Sequence, residues 1–85
     1  MLEYKLFNRL PSWSQVDVLT KKGTVVGQRH HNEWAITLYS LNNYFVELWV
    51  KQELEIVGSF HSSANPLEIL EPYMQDIQLQ DLYNY

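Results

Sequence analysis

The chain has no cysteine, three glycines and three prolines among its 85 residues, and six Lys and Arg against ten Asp and Glu. Without thiols there is no disulfide framework and no thiolate metal site, so apolar packing, helped by oligomerisation, must hold the fold. The glycines stand apart at 23, 27 and 58, which excludes a Gly-rich phosphate loop. No apolar run approaches the roughly 20 residues of a membrane span. The first residues also lack the basic segment, apolar segment and cleavage site of a secretory signal. The expectation is a cytoplasmic protein with no membrane partner.

Positive charge is scarce and unevenly placed. Lys5, Arg9, Lys21, Lys22 and Arg29 against Glu3 and Asp17 give residues 1–30 a balance of +3, whereas residues 31–85 total −7. Nucleic-acid affinity comes from many cations neutralising phosphates, so a net charge of −4 argues against that partner.

What the chain does have is apolar and aromatic side chains, at 46% and 14% of residues, enough to offset the entropy of ordering. A chain of this length hides only about 60–65% of its unfolded surface, which allows one core and a single domain over residues 1–85. Leu2, Leu6 and Leu10 follow helical spacing, and Leu2, Tyr4 and Leu6 equally follow strand alternation; a short helix ending before Pro11 is the preferred reading. Ser12 and Gln15 have capping-box spacing, and Trp13, Val16 and Leu19 recur helically. Lys21-Lys22-Gly23 supplies cations and then a glycine for a left-handed stop, so a helix is expected over 12–22.

Alternating β-branched and aromatic residues predict strands at 24–29, 34–40, 44–51 and 54–61, joined as an antiparallel meander. Gly27 and Gly58 interrupt the outer two, marking a bulge or a close approach. In the middle hairpin a three-residue loop, Leu41-Asn42-Asn43, sets Ser40 opposite Tyr44 and puts the positive φ at Asn43. Trp34, Ile36, Leu38, Val46, Leu48 and Val50 then share the face expected to receive the helices. Ala35, Thr37, Tyr39, Phe45, Glu47, Trp49 and Lys51 share the other, and Glu33 faces Lys51. A two-residue loop would oppose Glu47 to Leu38, and burying an unpaired carboxylate costs several kcal/mol, roughly, so the longer loop is preferred. Asn65-Pro66-Leu67-Glu68 is read as one helical turn, with a second helix restarting at Pro72 and carrying Tyr73, Met74 and Ile77 inwards. The tail from Gln78 to Tyr85 has two readings, docking through Leu79 and Leu82 or fraying.

Catalytic patterns are missing: there is no G-x-S-x-G, and Ser12, Ser14, Ser40, Ser59, Ser62 and Ser63 read as caps, turns and strand ends. Glu53 with Glu55 and Glu68 with Glu71 read as exposed charges, so no enzyme and no cofactor are expected. His30, His31 and His61 form the weak metal or small-ligand alternative, against zinc's need for three or four convergent ligands. The leading expectation is a non-enzymatic interaction module that meets a second copy of itself or another protein through an aromatic sheet face of Tyr39, Phe45, Glu47 and Trp49, since exposed apolar patches of a few hundred Å² tend to mark interfaces.

Arg29, Tyr39, the run Tyr44-Phe45-Val46-Glu47, Ser59-Phe60, Glu71-Pro72-Tyr73 and the helix-ending Gly23 together resemble a group of small uncharacterised proteins of Bacteroidota-type bacteria. That group has no assigned activity, so the resemblance implies the order of elements and no mechanism. Its turn after the third strand is longer and basic, whereas Lys51-Gln52-Glu53 is short and acidic.

Overall fold

The computed structural model describes residues 3–74. Two helices, α1 (Tyr4–Arg9) and α2 (Ser12–Lys22), precede four strands, β1 (Thr24–His31), β2 (Trp34–Leu41), β3 (Tyr44–Lys51) and β4 (Leu54–Ser59), and α3 (Pro66–Met74) follows. The strands form one antiparallel meander in the order β1-β2-β3-β4. This is an α+β fold with an N-terminal helical segment and a C-terminal helix packed on one sheet face. The expectations for Ile77, Leu79 and Leu82 lie outside the described residues.

Local chemistry sets the helix limits, although not always as expected. α1 is a helix of six residues, ending where Leu10 turns extended before Pro11. The residue capping α2 is Pro11 rather than Ser12, and no capping box forms: Gln15 Nε2 instead donates to Phe7 O at 2.9 Å, tying the two helices together. Gly23 ends α2 with φ −77° and ψ 153°, which is extended rather than left-handed. Its value is space, because a Cβ there would lie 2.7 Å from Leu19 O. Trp13 is 75% exposed, since the buried stripe of α2 runs through Val16, Val18 and Leu19 and leaves Trp13 to one side. α3 is continuous through Pro72, not restarted there, and Asn65 Oδ1 caps it by accepting from Leu67 N at 3.0 Å.

The decisive correction is the register. Leu41 pairs with Tyr44 and Leu38 with Glu47, so the middle hairpin has a two-residue loop. Asn42, not Asn43, takes positive φ, at 58°, and Asn32 and Gln52 do the same at the start of the other two loops. A positive φ at that first loop residue is what the mirror-image turns of two-residue hairpins require. Ile36, Leu38, Phe45, Glu47 and Trp49 therefore share one face, and Tyr39, Leu41, Tyr44, Val46 and Leu48 the other.

Each face carries its own core. Phe7 and Leu19 from α1 and α2 bury Leu41, Tyr44, Val46 and Leu48, while Ile69 and Tyr73 from α3 bury Ile36 and Leu38. Helices thus cover both sides of the sheet. β1 bulges between Val25 and Gly27, and a Cβ on Gly27 would meet the Tyr73 ring at 3.2 Å, so this glycine serves both the bulge and the approach of α3.

Candidate functional site

The four residues expected on one aromatic face are divided by the observed register. Tyr39 packs with the α1 and α2 core, whereas Phe45, Glu47 and Trp49 lie beneath or beside α3. Phe45 packs against the core under α3 with Phe60, Ala64 and Leu70.

Glu47 is 8% exposed, the side-chain carboxylate the sequence argument placed at the surface. It is buried yet not unpaired. Its Oε2 accepts from Tyr73 OH at 2.5 Å and from Arg29 Nη2 at 3.5 Å, and its Oε1 accepts from Trp49 Nε1 at 3.1 Å. β1, β3 and α3 thus converge on one carboxylate, satisfying the charge that burial would otherwise penalise. The Arg29 guanidinium sits 5.4 Å from the Trp49 ring and 5.2 Å from the Tyr73 ring, which places its delocalised cation against aromatic faces. Burial, and then the bond to Glu47, push the Tyr73 phenol well above its ordinary value of 10.0. The chemistry of this cluster is that of a clasp: three donors converge on one acceptor, and the buried Arg29 Nε has no hydrogen-bond partner among the described residues.

Beyond Glu47 the same face opens. α3, described as far as Met74, packs over Ile36 and Leu38, and the far end of the face carries exposed side chains. There Trp49 lies opposite Ile56, Lys51 opposite Leu54, and Trp34 edge-on to Trp49 at 6.0 Å. Ile56 is 53% exposed and Leu54 61%. Lys51 reaches over the Trp34 ring at 5.7 Å and pairs with Glu33 at 3.4 Å, giving this surface a charged rim. Glu33 lies in the loop rather than directly opposite Lys51, and the ion pair forms nonetheless. Arg29, Trp34, Leu54, Ile56 and Tyr73 were not singled out from the sequence as site residues. Leu54 and Ile56 become visible once the β3–β4 register is known, because they share parity with Trp49 across the strand pair.

The three histidines are not gathered. His30 pairs with Ala35 on the side of α1 and α2, His31 stands edge-on to Trp49 at 6.5 Å on the other side, and His61 Nδ1 lies 2.7 Å from Ser63 Oγ. Among the described residues no group of three or more His, Asp or Glu comes together in a metal-holding arrangement. An open cleft of about 400 Å³ beside Tyr4, Lys5, Asn42, Asn43 and His61 includes one of the three histidines only. No helix among the described residues is long and apolar enough to cross a membrane. Comparison with protein-family models, with curated proteins and with solved structures gives no match.

Proposed function

We propose that the protein is a small, non-enzymatic, cytoplasmic interaction module that self-associates through the open end of the sheet face bearing Trp34, Trp49, Leu54 and Ile56. The observation that carries this reading is the apolar character of that end of the face, where, among the described residues, Leu54 and Ile56 are exposed beside the half-buried Trp34 and Trp49. Trp and Tyr are the residues that most often anchor interfaces, and a rim bearing both Lys51 and Glu33 suits contact with a copy of itself. Neither nucleic acid nor a cofactor enters this reading, in keeping with the net charge of −4.

The test is molar mass in solution by light scattering across a concentration series. A mass above that of a single 10.1 kDa chain that falls in Trp34→Lys and Trp49→Lys, with circular dichroism unchanged, is the expected result. A wild-type chain that stays monomeric throughout, or variants that associate as before, would sink the reading. Trp34→Lys is the cleaner variant, because Trp49 also donates to Glu47.

A further inference from the structure

The two edges of the sheet are built differently. On β1 the ladder is broken by the bulge between Val25 and Gly27, a device that twists an edge away from further pairing. β4 pairs with β3 without a shift from Leu54 to Ser59, and its sequence, Leu-Glu-Ile-Val-Gly-Ser, carries no proline, lysine or arginine. No strand among the described residues lies on its outer side.

The direction of its backbone groups follows from one bond. Phe60 N donates to Phe45 O at 2.9 Å, continuing the β3–β4 register. Antiparallel ladders alternate hydrogen-bonded and non-hydrogen-bonded pairs, so Leu54, Ile56 and Gly58 direct their N–H and C=O groups to β3. Glu55, Val57 and Ser59 direct theirs outwards. Those three residues are symmetric about Val57.

We infer that the outer edge of β4 pairs antiparallel with β4 of a second copy, about a two-fold axis through Val57, to give a continuous eight-stranded sheet. In this register Val57 meets Val57 of the second copy, Glu55 meets Ser59, and all three outward residues on each chain enter hydrogen-bonded pairs. A centre at Ile56 would engage only Glu55 and Val57, and a centre at Glu55 would oppose two carboxylates. Centring at Val57 also sets Glu53, at one end of the edge, against His61 at the other end of the second copy, which matches anion to imidazole. The two-fold axis is normal to the sheet, so Ile56 faces Gly58 of the second copy, where a side chain would meet nothing within 4 Å. This contact is made by the backbone edge of β4 and shares only Ile56 with the open face, so Trp34→Lys tells the two contacts apart.

The absence of native cysteine makes the test direct. Chains carrying Ile56→Cys are mixed with chains carrying Gly58→Cys under mild oxidation, and the disulfide products are resolved by mass spectrometry. A mixed 56–58 disulfide, with little product from either chain alone, is expected. Glu55→Pro, which removes an outward N–H and leaves the β3 ladder whole, should abolish that product without changing the circular dichroism spectrum. Absence of the mixed product, or its persistence in chains that also carry Glu55→Pro, overturns the inference. Cross-linking of Ile56→Cys with itself overturns the register. Trp34→Lys should leave the cross-link intact, so failure of the open-face contact is read separately by light scattering.

Discussion

The Tyr73 phenol donates to the Glu47 carboxylate at 2.5 Å, joining the last described turn of α3 to the middle of β3. Because the acceptor is charged and buried, the bond is worth more than a neutral surface pair, about 1.5–3 kcal/mol. A double-mutant cycle of Tyr73→Phe and Glu47→Gln, read by urea unfolding, should give a coupling energy in that range. Additive single effects would place the stability of α3 in apolar packing alone.

Removing the acceptor altogether has a larger effect. Glu47→Ala leaves Arg29 partly buried without its counter-charge, and loss of one member of such a pair costs about 3–5 kcal/mol. Arg29→Leu combined with Glu47→Leu should recover much of that loss. Equal instability of the single and double variants in urea would contradict the pairing.

Tyr73 makes stability sensitive to alkali. Its folded-state pKa is raised above the ordinary 10.0, chiefly by burial and then by Glu47, so the neutral phenol is the form the fold favours. The associated stability is complete below about pH 10 and is lost as pH rises from there towards the folded-state value. Burial raises Tyr44 in the same direction. Thermal midpoints should therefore drop above pH 10, and Tyr73→Phe should flatten that slope. An unchanged slope would assign the alkaline loss to other groups.

Gly27 and Gly58 separate two reasons for a glycine in a strand. Gly27→Ala presses a methyl to 3.2 Å from the Tyr73 ring, and overpacking of that kind costs about 1–3 kcal/mol. Gly58→Ala meets open space and should stabilise by about 0.4–1 kcal/mol through the unfolded chain. Chemical denaturation of the two variants side by side checks both signs.

The middle turn rests on Asn42 at φ 58°. Asn42→Gly should be nearly neutral, whereas Asn42→Val forces a β-branched residue into the left-handed region at a cost of about 1–3 kcal/mol. Equal thermal midpoints for the two variants would argue against this turn.

Much of the architecture is legible in the chain because it is local. The breaks at Pro11 and Gly23, the alternation of β2 and β3, and the interruption at Gly27 each follow from a few neighbouring residues. The register of the middle hairpin differs from the one its own residues predict, for a physical reason. Burying an unpaired carboxylate is costly, but Glu47 is paired, with Arg29 18 residues before it and Tyr73 26 residues after it. Neither partner belongs to the two strands whose register was in question. The same difference separates Tyr39 from Phe45 and Trp49, since a slip of one residue moves every side chain of a strand to the other face.

Three successive loops of two residues give each strand its immediate chain neighbour as its partner. Closing such short loops costs little chain entropy, so the pairing of the sheet is local in the chain. The Glu47 clasp stands outside this local order. It requires β1, β3 and α3 to be present together, which makes it a proofreading contact: a hairpin assembled one residue out of step would turn the carboxylate towards the Phe7 and Leu19 core, away from Arg29 and Tyr73.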